Sequence, residues 1–274
     1  MTPVKFACCN EIFRGWKLQD VLQFLAKAGY QAIELAPFTL CAKVTDLGQA
    51  ARLELRNAAA RTGLEICGLH WLLAQTEGMH LNHQDTAVRE RTALYLVDLV
   101  RFCADIGAKV LVLGSPKQRN ILPGVTFPQA WELAAETLTA AVRQAEERGV
   151  TICMEPLAPG ETNFINTAAQ AIEFAGQFQS PAMKIILDVK AMSWEKEPIP
   201  QIIRASWPHF AHFHANDKNL KGPGFGEIDF KPIADALRQV GYQGCVSVEV
   251  FNFDEGPEVI ATQSLRNLRQ AWQA

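Results

Sequence analysis

The chain has 274 residues, of which 49% are hydrophobic and 20% are charged, and its formal net charge is −3. This composition is typical of a globular protein and argues against a disordered or fibrous chain. Because a slightly negative chain has no overall positive field to attract nucleic acid or an anionic membrane, we expect a small-molecule partner, with no nucleic acid and no membrane.

The amino terminus leads into only a short apolar stretch, without the long apolar core and small-residue cleavage site of a signal peptide, and no apolar run approaches a membrane span. We therefore expect a cytoplasmic protein. The seven cysteines show no C-x-x-C spacing and favour reduced, mostly buried thiols. The sequence leaves the oligomeric state open, a homo-oligomer included.

Short β-type runs alternate with helical segments along the whole chain. The runs are predicted at residues 4–9, 32–35, 65–69, 110–113, 150–154, 183–187, 210–213 and 245–248. The segments between them show one apolar stripe at helical spacing, such as Leu94, Val97, Val100 and Cys103. Glycine takes the left-handed conformation that closes a helix, so several helices are predicted to end at Gly29, Gly63, Gly107, Gly149 and Gly241.

This alternation predicts an α/β fold with a parallel sheet. Eight strand–helix units with right-handed crossovers fit a closed (β/α)8 TIM barrel better than an open, doubly wound sheet. No G-x-G-x-x-G motif follows the first strand, which removes the main support for a dinucleotide site. We predict one TIM-barrel domain over residues 1–274.

Polar residues follow the predicted strands, at the end of the barrel where TIM-barrel active sites lie. In chain order they are Asn10, Glu34 or the loop after it, His70, Ser115, Glu155, Asp188, His214 and Glu249. One such acid alone would more often be a helix cap or an ion-pair partner. The last four, however, come from consecutive strands. Three carboxylates and one imidazole suit a divalent ion such as Mn²⁺, Mg²⁺, Co²⁺ or Zn²⁺.

Other residues near the strand ends are candidates for contacting a substrate. His70 can orient a substrate oxygen, with Trp71 as a stacking wall, or be a core histidine. Lys190 and Asn216 can contact the substrate or satisfy loop backbone. The fourth and seventh loops offer four further cations, Lys117, Arg119, Lys218 and Lys221. These can hold a phosphate or carboxylate together, or remain solvated loop charges.

Several segments resemble the xylose-isomerase-like barrels, which include ketose 3-epimerases, hydroxypyruvate isomerases, inosose dehydratases and metal-dependent apurinic endonucleases. The resemblance covers nearly the whole chain and is most specific at residues 154–156 (MEP), 187–189 (LDV), 212–217 (HFHAND), 222–230 (GPGFGEIDF) and 246–250 (VSVEV). It implies that one metal, with Mn²⁺ the first expectation, is bound by Glu155, Asp188, His214 and Glu249. It also implies a substrate contact for Glu161, six residues after the first ligand.

Two departures from the epimerase pattern concern the substrate. A histidine of the epimerases falls on Ala191 here, and an arginine falls on Leu220. The resemblance therefore implies the metal site without implying a particular ketose.

We therefore predict a metal-dependent isomerase or epimerase of a small sugar, keto-sugar or sugar phosphate. In this hypothesis Glu155 and Glu249 are catalytic and move a proton through an enediolate held on the metal. A lyase of the inosose dehydratase type uses the same first step and stays open. An endonuclease-like phosphodiesterase would need a basic face to bind DNA. It would also need additional metal ligands at the positions that Ser115 and Ala191 occupy. A barrel that only binds its ligand is the last alternative.

Overall fold

Eight parallel strands close into a barrel in the computed structural model, which describes residues 4–273. The strands are β1 (Lys5–Cys9), β2 (Ala32–Leu35), β3 (Glu65–Leu69), β4 (Val110–Leu113), β5 (Thr151–Met154), β6 (Met183–Asp188), β7 (Phe210–Ala215) and β8 (Cys245–Val248). Each pairs with its neighbours in chain order, and β1 pairs with β8. The predicted TIM-barrel fold and all eight predicted strands are confirmed.

Nine α-helices lie within the described residues. They are α1 (Leu18–Ala28), α2 (Gln49–Arg61), α3 (Thr86–Asp105), α4 (Phe127–Arg148), α5 (Ala168–Gly176), α6 (Val189–Met192), α7 (Ile199–Ser206), α8 (Phe230–Gln239) and α9 (Pro257–Gln273). The glycines predicted to end helices all have positive φ, from 63° at Gly149 to 99° at Gly29. None of the helices in residues 4–273 is long and apolar enough to cross a bilayer. The cytoplasmic location stays a prediction.

The apolar core has two parts, on the two faces of the barrel wall. Outward-facing side chains such as Leu111 and Leu113 belong to the large core beneath the helices. Side chains alternate along a strand, so Val112 faces the barrel interior instead. There it forms a small separate cluster with Cys153 and Ile186. The interior below the rim is therefore packed with side chains rather than open.

One register irregularity in the wall aligns residues at the rim. Between β6 and β7 the pairing shifts at Ile185/Ile186, and beyond the shift Asp188 lies opposite His214. A similar shift between β2 and β3 lies directly before Glu34. Because such an irregularity re-aims the side chains that follow it, both shifts set where these polar groups point.

Helix α3 differs from its predicted orientation. The apolar stripe predicted for this helix includes Leu94, but Leu94 is 69% exposed. The buried face instead includes Tyr95, Leu99 and Phe102. The prediction for Leu94 is wrong because α3 packs on α4 as well as on the barrel, which rotates the stripe away from Leu94.

Replacement of Ile186 by alanine tests the interior cluster. We expect Ile186→Ala to lower the free energy of unfolding by about 2–5 kcal/mol, because a cavity in the closed interior cannot collapse. Urea unfolding followed by circular dichroism measures the change. The control Leu94→Ala should change it by less than about 0.5 kcal/mol, since that side chain is exposed. Equal effects of the two substitutions would contradict a packed interior.

Candidate functional site

The four residues predicted as metal ligands converge inside the C-terminal rim of the barrel. They are Glu155 after β5, Asp188 at the end of β6, His214 in β7 and Glu249 after β8. One donor atom from each lies within 4.8 Å of the others, and all four side chains are buried. Their spacing and donor chemistry are those of a site that can hold a divalent ion. We call this group the acid–imidazole cluster.

Hydrogen bonds hold both oxygens of Asp188. Its Oδ1 accepts from the backbone N–H of Ala191 at 2.7 Å and so caps α6. Its Oδ2 accepts from Asn216 Nδ2 at 2.5 Å, and Asn216 Oδ1 accepts from the backbone N–H of Lys190 at 2.8 Å. The Asn216 amide thus orients Asp188 and satisfies loop backbone, and a contact of Asn216 with the substrate stays a prediction.

The electrostatics of the acid–imidazole cluster favour a bound cation. Burial raises the pKa of Asp188 to about 7, with the Lys190 ammonium opposing the shift. The charges of Glu155 and Glu249 raise that pKa further. Burial alone would raise the pKa of Glu249 as well, but the neighbouring His214 lowers it to about 2. A divalent ion among these groups would neutralise their mutual repulsion.

Two buried atoms of the cluster face each other without a hydrogen bond. His214 Nδ1 lies 3.1 Å from Glu249 Oε2, yet neither atom has a partner with hydrogen-bond geometry. Buried polar atoms normally find such a partner. A cation coordinated by both atoms would account for the short distance between them and for the missing hydrogen bond.

Trp71 fixes the other oxygen of Glu249. Its indole Nε1 donates to Glu249 Oε1 at 3.0 Å. The backbone of Trp71 has a φ of 53°, in the left-handed region that bulky residues rarely adopt. Such strain, of the order of 1–3 kcal/mol, persists only where the surrounding structure imposes it. The side chain considered as a stacking wall therefore also orients a candidate ligand.

Glu34 connects the cluster to a buried layer of histidines. Its carboxylate contacts His212 Nε2 at 2.8 Å and His214 Nε2 at 3.2 Å. Burial would raise the pKa of Glu34, but these two imidazoles hold it well below its usual value. His70 Nδ1 lies 3.8 Å from Glu34, and His70 Nε2 lies 2.8 Å from Glu11. His70 is thus fully buried between two carboxylates, and its contact with a substrate stays a prediction.

Two predicted substrate contacts, Glu161 and Lys190, pair with each other. Lys190 Nζ donates to Glu161 Oε1 at 2.6 Å and lies 3.7 Å from the centroid of the Phe251 ring. Burial would lower the pKa of Lys190, but the charges of Asp188 and Glu161 raise it. The ammonium thus stays charged beside the acid–imidazole cluster.

Three of the four cations considered for an anion site have separate partners. Arg119 is 1% exposed and donates to a backbone carbonyl and a methionine sulfur, each at 3.3 Å. Burial lowers its pKa to about 10. Lys221 pairs with Glu255, and Lys218 lies over a tryptophan ring. Lys117 lines a cavity at the rim.

That cavity lies beside the cluster and has a volume of about 790 Å³. Its walls carry six aromatic side chains: Phe13, Trp16, Phe38, Trp71, Phe251 and Phe253. Trp71 links it to the cluster through the hydrogen bond to Glu249, and the lining residue Glu11 links it to His70. We call it the aromatic cavity.

Sequence reasoning placed Glu34 among the polar residues at the strand ends but gave no specific role to Glu34, Glu11 or His212. Glu34 interrupts an otherwise apolar predicted strand, and a carboxylate buried there must find a charged or hydrogen-bonding partner. His212 precedes His214 by two residues, which places both side chains on one face of β7. Those two signals could have predicted the Glu34 contacts. The contact of Glu11 with His70 depends on loop conformation and had no such signal.

Comparisons with known proteins show the family of this chain. A family model described as xylose isomerase-like TIM barrel matches residues 22–271. The D-psicose 3-epimerase of Ruminiclostridium cellulolyticum is 26% identical over 236 residues, which cover 84% of this chain and 77% of that protein. The 3-dehydro-D-guloside 4-epimerase of Escherichia coli is 24% identical over 277 residues, which cover 97% and 99%.

A solved structure shares the fold over its full length. The D-psicose 3-epimerase from Clostridium cellulolyticum H10, crystallised with D-tagatose, has a TM-score of 0.87 at 21% identity. The match covers 98% of this chain and 99% of that one. At this identity the likeness shows the common fold alone.

Gly114 leaves the space that Glu155 occupies. A Cβ added at Gly114 would lie 1.6 Å from Glu155 Oε2, so an alanine there must displace this carboxylate. We expect Gly114→Ala to weaken Mn²⁺ binding by about 10- to 100-fold, as changes that misorient metal ligands do. Isothermal titration calorimetry measures the affinity, and circular dichroism checks the fold.

Gly176→Ala is the matched control, because a Cβ there meets no atom within 4 Å. It should bind Mn²⁺ as the unmodified chain does. Unchanged binding by Gly114→Ala would mean that the position of Glu155 does not matter for a bound ion.

Proposed function

The chain belongs to the xylose isomerase-like TIM barrel family, and from this premise we propose that it is a divalent-metal-dependent sugar epimerase or isomerase. The observation that carries the proposal is the convergence of Glu155, Asp188, His214 and Glu249 within 4.8 Å. The sugar epimerases among its relatives support the same reaction class.

The residues of the acid–imidazole cluster fit a metal in three respects. Three carboxylates and one imidazole are hard-to-borderline donors, which suit Mn²⁺ first and Mg²⁺, Co²⁺ or Zn²⁺ as alternatives. His214 Nδ1 and Glu249 Oε2 are buried without hydrogen-bond partners. The bonds from Asn216, Ala191 and Trp71 orient the acids in the way that outer-shell groups orient metal ligands.

Proton transfer at the carbon beside a carbonyl is the step that this arrangement can perform. A divalent cation supplies Lewis-acid polarisation of the carbonyl and hydroxyl oxygens of the sugar. Glu249 stays ionised because of His214, and Trp71 holds it in one orientation. Glu155 approaches from β5, three strands away around the rim. One acid removes the proton and the other returns it, which inverts the carbon or moves the carbonyl.

Lys190 and Glu161 complete the proposed site. Their 2.6 Å ion pair lies next to Asp188 and on the Phe251 ring, so both can bind substrate hydroxyl groups while holding each other in place. Lys190 is 3% exposed, which keeps this ammonium away from bulk water. Lys190 directly precedes Ala191, the position at which the ketose epimerases carry a histidine.

Solvent-deuterium exchange tests the chemical step. With Mn²⁺ present, we expect the chain to exchange one carbon-bound proton of a sugar in a panel of ketoses, ketose phosphates and inososes. Glu155→Gln and Glu249→Gln should each abolish exchange and stay folded, because an amide cannot accept the proton. Glu132→Gln on the exposed face of α4 should exchange normally. Exchange retained in either site variant would remove that residue's role, and loss of water from the product would indicate a lyase.

Metal linkage tests the cluster without any substrate. An ion that binds only the folded chain stabilises it by about 2.7 kcal/mol at a concentration 100 times its Kd. We expect Mn²⁺ to raise the free energy of unfolding accordingly, and chelation by EDTA to reverse the effect. Asp188→Asn should lose most of this increment, whereas Asp20→Asn, exposed on α1, should keep it. An unmodified chain that shows no increment with any divalent ion contradicts a metal centre.

A further inference from the structure

A second cavity lies at the end of the barrel where the strands begin. It has a volume of about 570 Å³, and two thiols line it, Cys67 of β3 and Cys245 of β8. We call it the N-terminal cavity. We infer that Cys245 is a modification site, at which a small anionic disulfide binds in this cavity and forms a mixed disulfide with the protein. The inference goes beyond the proposed function, because no residue of the acid–imidazole cluster lines this cavity.

The position of the cavity separates it from the proposed active site. The first residues of five strands line it: Lys5, Glu65, Val110, Thr151 and Cys245. It also reaches the buried side chain of His212. Glu34 lies between His212 and the cluster residue His214, and contacts both. A ligand in the N-terminal cavity would therefore leave the acid–imidazole cluster unoccupied.

The two thiols differ in which of them can lose its proton. Both side chains are half-buried. Cys67 Sγ donates to the backbone carbonyl of Ile33 at 3.4 Å. Hydrogen bonding to the Cys245 side chain, together with burial, raises the pKa of Cys67 well above its usual value. Cys67 therefore stays a neutral thiol, and Cys245 is the member of the pair that can supply a thiolate, which is the reactive form.

Lys5 supplies positive charge beside Cys245. The two residues are paired in register on the adjacent strands β1 and β8. Hydrogen bonding to Glu65 raises the pKa of Lys5, and the charges of Glu65 and Cys245 raise it further. The lysine thus stays an ammonium next to the sulfur. A neighbouring ammonium favours the thiolate over the thiol, and the thiolate is the nucleophile of thiol–disulfide exchange.

The wall of the N-terminal cavity carries more positive than negative charge, although the whole chain has a net charge of −3. Its cations are Lys5, Arg56 and Lys109, and its one acidic residue is Glu65, which pairs with Lys5 at 2.6 Å. The ion pairs within residues 4–273 leave Arg56 and Lys109 without a carboxylate partner. These two side chains can therefore bind the carboxylates of a ligand. The volume is within the range of about 300–1,000 Å³ that holds small molecules.

The proposed step is a thiol–disulfide exchange. Cys245 Sγ loses its proton to water and attacks one sulfur of the bound disulfide, so that a new S–S bond forms as that of the ligand breaks. The other half of the ligand leaves as a thiolate. The Cys245 sulfur is thereby oxidised and the leaving sulfur is reduced. A bridge to Cys67 is disfavoured, because a disulfide needs close Cα atoms and β1 and β2 separate β8 from β3 in the wall.

Labelling of the unmodified chain with dithiobis(nitrobenzoate), an aromatic disulfide that carries two carboxylates, tests the inference. We expect one of the seven cysteines to react about tenfold or more faster than the others, because it combines access with thiolate character. The absorbance of the released aromatic thiolate gives the rate. Peptide mapping by mass spectrometry should place the first adduct at Cys245. Mapping needs no substitution, so it does not depend on the folding of a variant.

Cys245→Ser should remove the fast phase. Cys41→Ser is the matched control, because Cys41 is also half-buried but lies outside the N-terminal cavity. It should keep the fast phase. Circular dichroism checks the fold of both variants.

A matched pair of aliphatic disulfides tests the preference for an anion. Anionic dithiodipropionate should modify Cys245 about threefold or more faster than cationic cystamine, after each rate is divided by its rate with free mercaptoethanol. Replacing both Arg56 and Lys109 by glutamine should remove this preference. Lys43→Gln is the control, because Lys43 is exposed and lies outside the cavity. It should leave the preference unchanged.

Four results would overturn the inference. They are equal rates at all half-buried cysteines, a first adduct at a cysteine other than Cys245, a normalised rate for cystamine that equals or exceeds that for dithiodipropionate, and release of two thiolates with no adduct retained. The last result would show a bridge between Cys67 and Cys245 instead of a mixed disulfide. None of these measurements requires turnover or a bound metal, so the proposed function and this inference stand or fail separately.

Discussion

Buried negative charge is the constraint on which this structure depends. Three carboxylates of the acid–imidazole cluster lie within a few ångströms of one another and are largely buried. A fourth, Glu34, is fully buried directly behind them. Buried charges must be paired, because burying an unpaired charge costs more free energy than the surrounding packing supplies. His214 lies between the two groups and contacts Glu34 on one side and Glu249 on the other.

The barrel interior is built around this pairing. Along β4, β5 and β6 it is apolar and tightly packed by Val112, Cys153 and Ile186. On the opposite side it is polar, where Cys9 Sγ lies 3.6 Å from Glu34 and His212 contacts the same carboxylate. The apolar side gives rigidity, and the polar side orients the ring of His214. A site placed on strands and supported from below keeps its donors close to one geometry, which a metal centre requires.

The proposed substrate contacts differ from the proposed metal ligands in how they are held. Asp188 and Glu249 are fixed by hydrogen bonds from Asn216 and Trp71, whereas Lys190 and Glu161 depend on each other. Loops after β1, β2 and β8 add the aromatic cavity. In a TIM barrel the strand ends carry the common chemistry, and loop variation changes what is bound.

The sequence by itself determined the barrel, its eight strands and the four residues that meet at its rim. It could do so because strand periodicity and helix-ending glycines are local signals, and because parallel strands that close into a barrel bring every C-terminal end to one face. Only the tertiary structure decided the pairing among the remaining groups. His70 faces Glu11, Lys190 faces Glu161, and Arg119 turns into the core. Those contacts join residues that are far apart in the sequence. Their relative positions follow from packing of the whole chain, and no sequence periodicity predicts them.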